Sequence, residues 1–184
     1  MTKRILTYIL AIFCLLLVSS PAPRSEAASS SSLTEEQVKA AYIYNFAKFV
    51  QWPETAFLSA NEPLRICFVG SEDLFKAMES LSDKTIQGRP LKISKRSTLK
   101  TTPDCHILFI SRHYQGEAWQ ELKKNIFTPV LTIADFDSFV SGGGIIELVR
   151  EGSKIRFAVN IAAARQAGLN LSSKLLKLAI FVEE

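Results

Sequence analysis

The chain has 184 residues, 47% of them apolar and 22% charged, with a formal net charge of +4. That length suits one domain with a real core and argues against two. Much of the positive charge sits in the first residues, so the balance gives little support for nucleic-acid binding, which needs a clustered basic footprint.

Residues 1–27 read as a signal peptide: basic MTKR, apolar ILTYILAIFCLLLVSS, then PAPRSEA with a small-x-small cleavage signal ending at Ala27. Pro21, Pro23 and Arg24 close the apolar run short of the roughly 20 residues of a comfortable membrane span, which argues against a retained anchor. Phe13 stands where lipoprotein processing wants a small residue, so Cys14 belongs to the discarded segment. Cleavage removes Lys3, Arg4, Arg24 and Glu26 and leaves a nearly balanced mature chain. The remaining basic cluster, Lys92, Lys95, Arg96 and Lys100, reads as a solvated edge. Two cysteines survive, Cys67 and Cys105, and an even count in an oxidising space favours a disulfide over two free thiols.

Residues 28–35 form a polar tether, followed by a single domain over 36–184. Thr34 is a helix N-cap with Gln37 at capping-box spacing. The helix runs through VKAAYIYNFAKFVQW, with Val38, Ala41, Tyr42, Asn45, Phe46, Phe49 and Trp52 on one face, and Pro53 stops it. Such a stripe is usually core, yet the helix is richer in aromatics than one face requires. Tyr44, Phe46 and Trp52 are therefore candidates for a partner or ligand surface. LRICFVG at 64–70 is an unbroken apolar strand, and SEDLFKAMESL is a helix lined by Leu74, Phe75, Met78 and Leu81. Residues 87–90 are a turn, 91–94 a short strand, and 97–104 a loop leading into CHILFIS at 105–111. CHILFIS has no polar alternation, so it needs cover on both faces, as a central strand has. It is expected to pair with LRICFVG.

EAWQELKKNIF is amphipathic at helical spacing through Trp119, Leu122 and Ile126, and PVLTIAD at 129–135 is a further strand. Two strand-like runs, IIELV and IRFAVN, flank a short turn at 150–153 and form a hairpin. A helix over 161–167 closes at Gly168, and a last helix over 172–180 buries Leu175, Leu176, Leu178 and Ala179. The cadence predicts an α/β fold: a three-layer sandwich with a largely parallel, doubly wound sheet and a C-terminal antiparallel hairpin at one edge.

Few residues along this frame point to chemistry. Gly142, Gly143 and Gly144 open a strand, whereas a dinucleotide fingerprint opens a helix; they read as a turn or bulge. A phospho-receiver would carry an acceptor aspartate where this chain has Ser111 and Arg112, and Asp135 follows a different strand. Cys105 and His106 point to opposite faces of a strand and are poorly placed for one metal. No GxSxG elbow and no CxxC pair occurs, and the cysteines stand 38 positions apart (105 − 67). A bridge over that span would contribute about 3 to 4 kcal/mol in the loop-entropy account. No catalytic residue, cofactor or metal is expected. If a small ligand binds, the strand carboxyl ends near Gly70–Asp73 or the flank of the aromatic helix would hold it.

VKAAYIYNFAKFVQWP, LRICFVG, CHILFIS, GGGIIELV, IRFAVNIAAARQAGL and LSSKLLKLA together resemble the YfiR-like family of periplasmic proteins, from Val38 to Ala179. The resemblance implies an α/β domain, often a homodimer, that represses an inner-membrane diguanylate cyclase by binding its periplasmic sensor part. Release by redox or envelope stress then raises cyclic di-GMP and favours biofilm. Cys67 and Cys105 match the family's cysteines that form a stabilising disulfide. Some members add a closely spaced cysteine pair in the C-terminal half; this sequence has none, so the resemblance does not extend to a redox switch resting on that pair. The competing expectations are a periplasmic small-molecule sensor and a thiol oxidoreductase.

Overall fold

A computed structural model describes residues 33–97, 104–116, 119–120, 123–124 and 129–184. The expected signal peptide, most of the tether and most of the 97–104 loop lie outside the described residues. Of the helix expected over 117–127, Trp119, Gln120, Lys123 and Lys124 are described, and all four are helical.

Helix α1, Glu35–Phe49, starts where its capping box predicts. Gln37 N–H donates to Thr34 Oγ1 at 3.2 Å, and Thr34 N–H donates to Gln37 Oε1 at 2.9 Å. The helix ends at Phe49, before Pro53. Val50 turns extended and, with Gln51, forms strand β1, which pairs with β9 (Asn170–Leu171). The buried face is also rotated from the expected one. Lys39, Ala40, Ile43, Phe46 and Ala47 face inward, while Ala41 and Asn45 are exposed. The spacing rule treats Lys39 as a solvent residue, and the structure buries it because it has carboxylate partners.

β2 (Leu64–Val69), β4 (Arg89–Arg96), β5 (Ile107–Ile110), β6 (Leu131–Ala134), β7 (Ile146–Glu151), β8 (Lys154–Asn160), β10 (Phe181–Glu183) and the two-residue β3 (Thr85–Ile86) build one sheet in the order β10-β8-β7-β6-β5-β2-β4-β3. The pairs β4/β2, β2/β5, β5/β6, β6/β7 and β8/β10 are parallel. The hairpin β7/β8 and the short pair β3/β4 are antiparallel. LRICFVG and CHILFIS do pair, with Ile66 opposite Ile107 and Val69 opposite Ile110.

Alternate residues of these strands enter two cores, which makes the fold a three-layer α/β sandwich. Ile66, Phe68, Ile107, Phe109, Leu131 and Ile133 pack with the inner face of α1 and with Leu74 and Met78 of α2 (Glu72–Glu79). Cys67, Val69, Leu108, Ile110 and Ala134 pack with Trp119, Val130, Phe136 and Phe139 on the other side. Burial on both faces is why these strands read as unbroken apolar runs.

The C-terminal third departs from expectation at its end. Helix α3, Ile161–Gln166, is capped by Asn160 and followed by Gly168 at φ 72°. The last helix, α4, spans only Ser173–Leu176, and the chain then extends into β10 outside β8. The hairpin is thus one strand in from the edge. Ile180 N–H donates to Phe157 O at 2.9 Å, which starts the parallel pairing, and Leu178 is exposed where helical spacing would bury it. The glycine triplet leads into β7. A Cβ on Gly144 would lie 2.2 Å from Phe139 Cε1, so close packing against that ring accounts for this glycine.

The turn between β3 and β4 is shorter than the expected 87–90 and consists of Gln87 and Gly88, both at positive φ (53° and 78°). Two left-handed residues suit the twist of a two-residue hairpin. Gln87 also reaches across to α1, where its Nε2 donates to Ala47 O at 3.1 Å and Val50 O at 2.7 Å. Ala47 O is among the last carbonyls of the helix, which have no partner within it, and Val50 follows at its C-cap. Gln87→Asn keeps the tolerance for positive φ and loses the reach. It is expected to lower stability by about 1–3 kcal/mol in urea denaturation, and an unchanged midpoint would contradict this role.

Candidate functional site

Cys67 and Cys105 are joined as a disulfide, with their Cα atoms 5.9 Å apart. Cys67 lies within β2 opposite Leu108, and Cys105 lies in the lead-in to β5, three residues ahead of Leu108. The bridge is therefore not directly between paired strand residues; it joins one strand to the approach of the next. Both sulfurs are in the core shared with Trp119 and Phe139, and Cys67 is fully buried. Ser94 Oγ, on β4, donates to Cys67 Sγ at 3.6 Å.

His106 follows immediately and serves the fold. Its Nδ1 accepts from Arg65 N–H at 2.9 Å, and its Nε2 lies 3.0 Å from Ala56 O. His106 N–H donates to Arg65 O at 2.9 Å, and Phe57 stacks on the ring at 4.3 Å between centroids. Both ring nitrogens are thus committed to the backbone of the protein. Sequence reading placed His106 away from a shared metal with Cys105 but found no partner for it.

The three aromatic candidates do not share one surface. Phe46 is 1% exposed and packs edge-on to Phe157 at 4.9 Å, so it belongs to the core and cannot present itself to a partner. Phe46 lies on the expected apolar stripe and on the observed inner face of α1 alike, so the core reading of that stripe holds for it. Trp52 is half-buried, and its Nε1 donates to His106 O at 3.3 Å. Tyr44 is half-buried, with Lys48 Nζ 4.1 Å from its ring centroid.

At the carboxyl ends of the central strands, where a doubly wound sheet often receives a ligand, an ion-pair cluster sits instead. Lys39 Nζ lies 2.8 Å from Asp135 Oδ2, 2.9 Å from Glu35 Oε1 and 3.2 Å from Glu36 Oε1. Asp135 Oδ1 accepts Arg112 N–H at 3.0 Å. Burial works to lower the Lys39 pKa, and its hydrogen bonds to Asp135 and Glu35 outweigh this and hold it above the usual lysine value. The bond from Lys39 is the main cause that keeps Glu35 below the usual carboxylate range, against burial. Gly70, at the end of β2, is closely covered by Ser111 and the Tyr114 ring.

Two features were missed by sequence reading. One is a cavity of about 540 Å³ between Pro53, Trp119, Lys123, Thr132, Gly143 and Gln166. Its main polar groups are engaged: Lys123 Nζ and Trp119 Nε1 donate to Gly142 O, and Thr132 Oγ1 accepts Ile145 N–H. The other is an apolar strip at the sheet edge, Leu178, Ile180 and Phe181, which are 65%, 49% and 55% exposed. Among the described residues β10 has no neighbour on its outer side. The run Ile180, Phe181, Val182, rich in β-branched and aromatic residues, carried the signal for a strand.

Fold and site together define a disulfide-bridged α/β sandwich domain. The chain matches the YfiR/HmsC-like family over residues 36–180 and belongs to it; members of that family are periplasmic regulators. No curated protein matches the chain. Among solved structures, it is similar to a conserved domain protein from Vibrio cholerae O1 biovar eltor, with TM-score 0.56 and 12% identity. That likeness covers 83% of this chain and 62% of the other, less than two thirds of its length. A second similarity is to the ABC domain in complex with L-Trp from Streptococcus pneumonia, with TM-score 0.48 and 13% identity, covering 64% of this chain and 54% of that one. No described helix is long and apolar enough to cross a membrane.

Lys39→Met removes the near cation from buried Asp135 and leaves it only the exposed Arg112 guanidinium, 3.9 Å away. It is expected to cost about 3–5 kcal/mol in denaturant unfolding, with part of the loss recovered in Lys39→Met/Asp135→Asn. A loss below about 1 kcal/mol would place the cluster among ordinary surface ion pairs.

Proposed function

We propose that the chain is exported to the periplasm, is cleaved near Ala27, and acts there as a non-enzymatic regulator. In this reading it binds and represses the periplasmic sensor part of an inner-membrane diguanylate cyclase, and so links envelope or redox stress to cyclic di-GMP and biofilm. Its working form is a homodimer. Membership of a family of periplasmic regulators supports this, and one observation on this chain carries it: the exposed apolar strip Leu178, Ile180 and Phe181 beside an edge strand with an open backbone. An edge of this kind can accept an extended segment of another chain, with main-chain hydrogen bonds for affinity and apolar anchors for selectivity. The ion pairs that fill the strand carboxyl ends fit a protein that works through its surface. Tyr44 and Trp52 remain candidates for a second part of the contact.

The cavity beside Pro53 and Trp119 favours a second reading, a periplasmic small-molecule sensor. Thermal-shift screening separates the two, since a ligand stabilises the protein that binds it by mass action.

A strain lacking the protein is expected to show raised cyclic di-GMP and increased surface attachment. Complementation with the natural chain should restore both, and Phe181→Glu, which keeps the fold, should fail through roughly tenfold or greater loss of affinity. Unchanged cyclic di-GMP and attachment in the deletion strain would overturn the reading.

A further inference from the structure

The bonds of His106 set its protonation state. Arg65 N–H can only donate, so Nδ1 is the acceptor, the ring is neutral, and its proton sits on Nε2 and is donated to Ala56 O. Through those two bonds and the Phe57 stack, one buried imidazole fastens the segment that follows α1 to the head of β2. The charged groups around it come from several elements. Glu62 and Arg65 stand at the head of β2, Arg89 of β4 lies 3.6 Å from the Phe57 ring centroid, Glu54 opens the 3-10 turn Glu54–Ala56, and Asp104 precedes Cys105. Glu62 is held below the usual carboxylate range chiefly by Leu58 N–H, with Arg65 adding to this, so it stays ionised in mild acid. A cavity of about 310 Å³ opens beside the ring, and Thr55, Leu58, Glu62, Arg65 and Cys105 are among its walls.

We propose that His106 is an acid-operated latch on residues 55–58. Taking one proton from water at Nδ1 sets two donors, the ring N–H and Arg65 N–H, against each other. The ring must turn, and turning gives up the bond to Ala56 and the stack on Phe57. The segment is released, and the cavity wall formed by Cys105 opens to solvent. Burial pushes the His106 pKa down; the Ala56 bond opposes this, and Arg65 reinforces it. The folded value therefore lies below the ordinary one of about 6.5. The latch holds fully above that pH, and its contribution is lost as pH falls from there through the folded value.

Amide hydrogen exchange on the purified protein alone, between pH 7.5 and 5 and corrected for intrinsic rates, tests this. Its result does not depend on whether any cyclase binds. The amides of Arg65 and of residues 56–58 are expected to lose protection about tenfold per unit of pH below about 6.5, while those of β6 keep theirs. His106→Asn retains an acceptor near Nδ1 and does not titrate, so it should remove the pH dependence. Flat protection of Arg65 and 56–58 in the natural protein, or an equal loss in His106→Asn, would overturn the latch. If that variant does not fold, the imidazole ¹⁵N shifts of the natural protein decide: a midpoint below about 6.5 that coincides with the exchange loss supports it, and one without any exchange loss overturns it.

Discussion

The parallel pairing of β2 with β5, held by Cys67–Cys105, is the constraint on which the rest of the structure depends. β2 lies between β4 and β5, so both halves of the sheet are built outward from it. Its alternate residues supply both cores, and a slip of one residue would exchange the faces and place Cys67 under α1. The disulfide crosses 38 residues and removes the unfolded states in which these strands are far apart, on the order of 3 to 4 kcal/mol in the loop-entropy account. Parallel strands far apart in sequence gain most from such a tie, because their closure cost precedes any pairing.

Polar devices finish the two ends of this sheet. At the amino ends of the strands, His106 joins the backbone of β2 to the segment after α1. At the carboxyl ends, Lys39 from α1 meets Asp135 from the end of β6, and Asp135 also holds Arg112 beyond β5. Each device fastens α1 or its continuation to strands distant in sequence. Gln87 adds a third fastening from the other flank. These contacts place α1 firmly, and they use polar groups that an enzyme of this architecture could otherwise turn toward a ligand.

Features that depend on local or two-faced burial were legible in the sequence. LRICFVG and CHILFIS declare themselves because strands covered on both sides have no polar alternation, and Thr34 with Gln37 declares the start of α1. The end of α1 did not show. It is set by the two-residue pairing of Val50–Gln51 with Asn170–Leu171, a tertiary contact, and Pro53 offered a plausible local stop instead. Phe46 sits on the apolar stripe that reads as core, and it stood as a surface candidate only because α1 carries more aromatics than one face requires; the burial of Lys39 did not show, because its partner Asp135 is 96 residues away. The last helix was overextended because Ser172–Ile180 has helical spacing. The pairing of β10 with β8 draws Ile180–Glu183 into the sheet and leaves Leu178, Ile180 and Phe181 outside.

A scaffold stapled by its disulfide and carrying an apolar edge suits the proposed regulator, which would work by occupying a partner. An affinity pull-down from native membranes tests that joint claim most directly, with the oxidised protein in one arm and the reduced protein in the other. The account predicts that the oxidised protein enriches a diguanylate cyclase identified by mass spectrometry, and that reduction, by loosening β2 and β5, weakens the capture. No enrichment of a cyclase in either arm would contradict it.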